Sequence, residues 1–251
     1  MTDTQNELEG RVAVVTGAGR NIGRAIALEL AAGGAAVVVN VRSNKEQAAA
    51  VVKEIEAAGG TGLAVIGDVA KPAEVEAMIA AAVKTFGRID YLVNNAGLRA
   101  EKPLDQLSFE DWRAIMGVNL DGAFHCVKAC LAHLKASEAG SIINIGGISA
   151  HTGSKNRVHV VASKAGLVGF TRALAHDLAE FNVTANLIAP GFIARERAPG
   201  QIPAHHGRVG AITGREADAV EIGTMARFLC GPGARFVTGQ TIHVNGGAYL
   251  G

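Results

Sequence analysis

The sequence predicts a parallel α/β sheet with helices on both faces, and three observations predict it. Short, near-continuous apolar runs recur along the chain, helical patterns separate them, and a glycine turn joins the first run to the first helix. Apolar runs without alternation suit strands covered on both faces. Strand and helix in strict alternation argue for a parallel sheet wound on both sides, with ligands at the carboxyl ends of its strands.

The runs are VAVVTG (12–17), AAVVVNV (35–41), GLAVIGDV (62–69), IDYLVNNAG (89–97) and GSIINIGG (140–147). Between them lie helical segments. GRAIALELAAGG follows the glycine turn, and NKEQAAAVVKEIEAAGG opens on Asn44, a good helix cap, and closes in glycines. PAEVEAMIAAAVKTFG opens on Pro72, which is tolerated early in a helix. With 251 residues and 49% hydrophobic content the chain can bury a sizeable core, and one domain spanning 1–251 is expected.

Charge and composition exclude several functions. Twenty-four basic residues against 23 acidic ones, a net charge of +1, give no reason to expect nucleic acid or an anionic membrane as partner. No apolar run approaches the roughly 18 residues that cross a bilayer. The opening MTDTQNELEG is polar and mixed in charge, unlike a secretory signal, so the expected compartment is the cytoplasm. Cys126, Cys130 and Cys230 are an odd number without metal-like pairing and read as core or interface residues. His205 and His206 are neighbours lacking a third ligand at sensible spacing, so no metal site is expected.

VAVVTGAGRNIGRAIALEL carries the first functional signal. Gly17 lets the chain turn, Gly23 lets helix and strand approach, and the helix start at Asn21 and Ile22 offers free N–H groups to a pyrophosphate. With this context the chain resembles the short-chain dehydrogenase/reductase family, in particular 3-oxoacyl-carrier-protein-reductase-like members, from about Gly10 to Gly251. The family loop, Thr-Gly-x-x-x-Gly-x-Gly, is matched at Thr16, Gly17 and Gly23, with Asn21 at the middle glycine. Asparagine is the next residue to tolerate a left-handed backbone.

Further signatures fall in order. Asp68 and Val69 resemble the pair against the adenine, and NNAG (94–97), with Asn95, Ala96 and Gly97, the segment beneath the cofactor. NLIAPGFI (186–193), with Pro190, Gly191 and Ile193, resembles the turn that holds the nicotinamide carboxamide, and TGQTIHVNGG (238–247) the last strand. The resemblance implies a Rossmann-type, doubly wound fold. An NAD enzyme places a carboxylate at the end of the second strand. Here that position is Val41, followed by Arg42 and Ser43, with Arg20 inside the glycine loop. Two guanidiniums and a hydroxyl suit the 2′-phosphate of NADP(H).

The catalytic side of the resemblance is incomplete. Asn119 matches the asparagine that holds a water chain, and Lys164 the lysine that binds the nicotinamide ribose and lowers the tyrosine pKa. The tyrosine position, four residues before that lysine, holds Val160, and the serine position, thirteen residues before the tyrosine, holds Gly147. General acid catalysis is worth roughly 10²- to 10⁴-fold, so hydride transfer would be slowed without being forbidden. His151 and His159 are candidate replacement acids, and Ser149 is a candidate hydroxyl.

Arg195 stands where the family often has a threonine, and 196–215, rich in Gly and Pro, is expected to be a mobile lid over a small-molecule substrate. The small residues Ala162, Ala165, Gly166 and Gly169 on the lysine helix favour a homodimer or homotetramer. Three readings stay open: an NADP(H)-dependent oxidoreductase of a small alcohol or carbonyl with an altered acid, a catalytically silent cofactor-binding protein, and a lyase, isomerase or hydrolase using the same pocket.

Overall fold

A computed structural model describes residues 6–194 and 210–251. Arg195, His205, His206 and most of the expected lid lie outside the described residues. The order is β1 (Val12–Val15), α1 (Asn21–Ala32), β2 (Ala36–Val41), α2 (Lys45–Ala57), β3 (Thr61–Ile66), α3 (Pro72–Phe86), β4 (Tyr91–Asn94) and α4 (Phe109–Met116). A π-helical turn over Gly117–Asp121 leads into α5 (Gly122–Ala136). β5 (Ser141–Ile145), the short α6 (Ser149–Thr152), α7 (Val158–Asp177), β6 (Thr184–Pro190), α8 (Ala219–Cys230) and β7 (Thr241–Val244) complete the chain.

All strand pairings are parallel, in the order β3-β2-β1-β4-β5-β6-β7. The order reverses between β1 and β4, so their carboxyl ends diverge and open a crevice at the switch point. Successive residues of β1 feed opposite layers. Ala13 and Val15 join the core under α1, α2 and α8, while Val12 and Val14 join the core under α3, α5 and α7. All three cysteines are buried and unpaired.

The expected runs are strands, trimmed where side chains interrupt the ladder. β4 begins after Asp90 because that carboxylate, with a fully buried side chain, accepts the Val12 N–H at 2.9 Å. Arg88 grips the same carboxylate at 2.8 and 2.6 Å, Arg11 at 3.2 Å and the Ser137 hydroxyl at 2.6 Å. Burial alone would raise the Asp90 pKa, but bonds from Arg88, Ser137 and the Val12 N–H outweigh it and hold the carboxyl below its ordinary value.

A carboxylate depressed on folding stabilises the protein above its unfolded pKa, and that stability is lost as pH falls toward the folded value. Asp90→Asn is therefore expected to cost about 3 kcal/mol at neutral pH, the low end for a broken buried pair because both guanidiniums reach solvent. Urea unfolding at pH 7 and at pH 3, below the ordinary aspartate value, checks this: the gap between wild type and variant should narrow at the lower pH.

Candidate active site

The first wall of the crevice is the loop between β1 and α1. Gly17 and Asn21 take left-handed backbones, with φ of 62° and 48°, so asparagine does fill the place of the middle glycine. Arg20 precedes α1 without a side-chain cap, unlike Asn44 before α2, so the first N–H groups of α1 remain available to an anion. A Cβ on Gly23 would lie 2.4 Å from both Asn95 Nδ2 and Gly17 O, so only glycine fits there. One on Gly19 would lie 2.8 Å from Val41 Cγ1. The loop thus rests on the end of β2, where Arg20, Arg42 and Ser43 are all exposed.

Side chains from neighbouring strands fix this loop. Thr16 Oγ1 accepts the Asn95 and Ala96 N–H groups, both at 3.0 Å, and Asn95 Nδ2 donates to Thr16 O at 2.9 Å and Gly17 O at 3.0 Å. Asn40, buried in β2, donates to Gly67 O at 3.0 Å and accepts the Gly17 N–H at 3.4 Å. It joins the ends of β2 and β3 to the loop, a role not assigned from the sequence, although a lone asparagine in AAVVVNV was its signal. Beside it, Asp68 Oδ1 accepts the Ala70 N–H at 3.0 Å, and His125 Nδ1 lies 3.1 Å from Val69 O.

The second wall converges on Gly97. A Cβ there would lie 3.4 Å from Asn119 Oδ1 and 3.6 Å from Lys164 Nζ. Asn119 sits in the π-helical turn, a local widening often found at functional sites. Its Oδ1 accepts the Leu98 N–H at 2.7 Å, and its Nδ2 donates to Leu98 O at 3.2 Å and Ser163 Oγ at 3.0 Å. Ser163, also unassigned from the sequence, donates onward to Val160 O at 2.8 Å. Lys164 Nζ donates to Ile145 O at 2.6 Å. Burial, and secondarily the Arg99 guanidinium, bring its pKa down to about 7.

Pro190, Gly191 and Ile193 close the far side. Ile148 N–H donates to Pro190 O at 3.1 Å, Gly191 N–H donates to Val244 O at 3.0 Å, and Ile193 bridges to Ala217. Val160 is buried, 2% exposed, one turn before Lys164. A Cβ on Gly147 would meet open space, with Ser149 Oγ nearest at 3.9 Å.

The two histidines have different surroundings. His159 is 1% exposed, on the first turn of α7. His151 packs against His243, with ring centroids 4.7 Å apart, and stacks on Tyr249 at 5.3 Å. Burial lowers the pKa of both, and neither His151 Nε2 nor His159 Nδ1 has a hydrogen-bond partner among the described residues. Those residues hold no group of three or more metal-ligating side chains, and no helix among them is long and apolar enough to cross a membrane.

A braced glycine loop at the switch point of a parallel sheet, facing a half-buried lysine and a buried asparagine, defines a dinucleotide-dependent oxidoreductase. The family model of short chain dehydrogenases matches residues 11–201, and the chain belongs to that family. It is 39% identical over 249 residues to the 3-oxoacyl-[acyl-carrier-protein] reductase FabG of Staphylococcus aureus, covering 95% of this chain and 98% of that protein. Among solved structures it resembles a blue fluorescent protein from a metagenomic library in complex with NADPH, with a TM-score of 0.91 and 36% identity over 97% of this chain and all of that one. It also resembles a short chain dehydrogenase from Burkholderia cenocepacia J2315 in complex with NADP, with a TM-score of 0.91, 34% identity, and 97% and 99% of the two chains covered.

The crowding at Gly23 yields a prediction. Gly23→Ala should displace the loop and weaken NADPH binding at least tenfold, read by fluorescence titration, while the far-ultraviolet circular dichroism stays unchanged.

Proposed function

We propose that the chain is an NADP(H)-dependent oxidoreductase of a small alcohol or carbonyl compound, working with Val160 and Gly147 where the family carries tyrosine and serine. The observation that carries this reading is the convergence of Lys164 Nζ and Asn119 Oδ1 on Gly97, next to the braced loop. The cradle fits the dinucleotide: glycines stand where a Cβ would collide, and the start of α1 is uncapped.

In this reading Gly17, Arg20, Asn21, Ile22 and Gly23 take the pyrophosphate, and Arg42 and Ser43, with Arg20, take the 2′-phosphate. Asp68 and Val69 border the adenine, and Asn95, Ala96 and Gly97 run beneath the nucleotide. Pro190, Gly191 and Ile193 receive the carboxamide, and Lys164 the nicotinamide ribose. The bound cofactor supplies the hydride. The protein excludes water, orients the carbonyl and handles the proton. A silent, cofactor-sensing protein is the second reading, favoured by the absence of a hydroxyl at both Val160 and Gly147.

The chain is proposed to work as a homo-oligomer in the cytoplasm. Phe124 on α5 is 49% exposed, Gly169 on α7 has open space beside it, and Leu120, Phe124, Gly166 and Phe170 line a groove that Arg113 and Asp121 also border. A second copy of this face would cover it. Light scattering at micromolar concentration should give the mass of a dimer or tetramer, and a monomer mass would refute the assembly.

Cofactor choice tests the main reading. NADPH is expected to bind at least tenfold more tightly than NADH, and Arg42→Ala should weaken NADPH while leaving NADH nearly untouched. Equal affinities, or a preference for NADH, would overturn the assignment.

A further inference from the structure

We infer that His151, His243 and Tyr249 form a pH-sensitive latch, which holds α6 and the segment after β7 together while both imidazoles are neutral and releases them in mildly acidic solution. The latch does not depend on the oxidoreductase reading.

The first argument is geometry. His151 lies on α6, His243 on β7 and Tyr249 in the segment that follows β7. That segment turns back through Gly246 and Gly247, whose backbones are left-handed with φ of 61° and 78°. Asn245 fixes the turn, accepting the Gly247 N–H at 2.9 Å and donating to Tyr249 O at 3.1 Å. The imidazoles meet edge to face with centroids 4.7 Å apart. The phenol ring stacks on His151 at 5.3 Å and lies 5.0 Å from His243. Rings from three parts of the chain thus meet at one point.

The second argument is where a proton would go. His151 Nε2 and His243 Nδ1 are buried without a hydrogen-bond partner, whereas the other nitrogen of each ring is not enclosed in this way. A neutral imidazole tolerates this, because it carries its one hydrogen on the open nitrogen and leaves a bare lone pair inside. An imidazolium has a hydrogen on both nitrogens, so protonation puts an N–H donor into the packed interior with no acceptor. A second proton is worse placed than the first, since two like charges would then stand in contact.

The third argument is that no neighbouring group offsets the charge. The cation that acts on His151 is the Arg172 guanidinium of α7, and the group that acts on His243 is His151 itself. No carboxylate acts on either, and the Tyr249 phenol is neutral throughout the acid range. Burial, then these like charges, lowers the proton affinity of both imidazoles. Released imidazoles take up protons at about 6.5, and packed ones resist. The latch is therefore complete above that value, and its stability is lost as pH falls below it toward the packed value.

Release bears on the crevice. α6 begins at Ser149, and Ile148 before it donates to Pro190 O at 3.1 Å. β7 holds Gly191, whose N–H donates to Val244 O at 3.0 Å. The latch clamps the ends of β5 and β6, on the side of the sheet away from the glycine loop after β1.

Tyr91 and Tyr249 are the two tyrosines of the chain, and Tyr91 is buried in β4. Cofactor-free protein labelled with ¹³C at tyrosine Cε therefore reports the latch and the core separately, with Tyr249 assigned by its loss in Tyr249→Phe. Between about pH 8 and about pH 4.5 the Tyr249 signal should shift to that of a solvent-exposed tyrosine, with a midpoint below about 6.5, while the Tyr91 signal stays. A Tyr249 signal that holds its place over that range, or shifts only together with that of Tyr91, would overturn the inference. So would histidine ¹³Cε1 signals showing His151 and His243 both protonated with Tyr249 still in place. In the double variant His151→Phe with His243→Phe, rings that bind no proton fill the same space, and the transition should vanish. Its persistence there would assign it to another group and end the proposal. Should the double variant misfold, seen as a displaced Tyr91 signal, the wild-type titration decides alone.

Discussion

The Thr16 hydroxyl is the point on which the site depends. At the switch point β1 and β4 part, and no backbone ladder spans the gap above them. One oxygen accepts two successive N–H groups of the β4 exit, while Asn95 returns two bonds to the glycine loop. That exchange pairs part-buried backbone groups that lie beyond the strand ladder. It also fixes the loop and Gly97 relative to each other. Asn40 extends the brace to β2 and β3. The phosphate end and the reactive end of the crevice are therefore one rigid unit, with the substrate side free to vary.

The variation at Val160 and Gly147 lies on that free side. Replacing a phenol by an isopropyl group removes a proton donor and leaves packing intact, since Val160 remains buried. Lys164 takes its position from α7 and its bond to Ile145 O. A lysine ammonium held by one carbonyl in a crowded site, with a guanidinium nearby, binds its proton weakly.

Much of this was legible in the sequence. Apolar runs and capped helices marked the first five strands and the helices between them, because burial on both faces leaves a continuous pattern. The glycine loop was legible down to Asn21, whose left-handed backbone follows from steric rules alone. The roles of Asn40 and Ser163 were not, because a buried polar residue in an apolar run says that a partner exists without naming it. Helical rotation placed His159 away from Val160, but the aromatic stack around His151 joins α6, β7 and the residues after it, contacts distant in sequence. Nor does sequence show burial at an ammonium, so the shifted proton affinity of Lys164 required three dimensions.

The account is tested most directly by a crystal structure of the protein with NADP⁺ and an unreactive ketone analogue. It predicts the pyrophosphate against the loop from Gly17 to Gly23 and the nicotinamide ribose within hydrogen-bond reach of Lys164 Nζ, beside Gly97. A dinucleotide seated elsewhere, or none bound at saturating concentration, would contradict it.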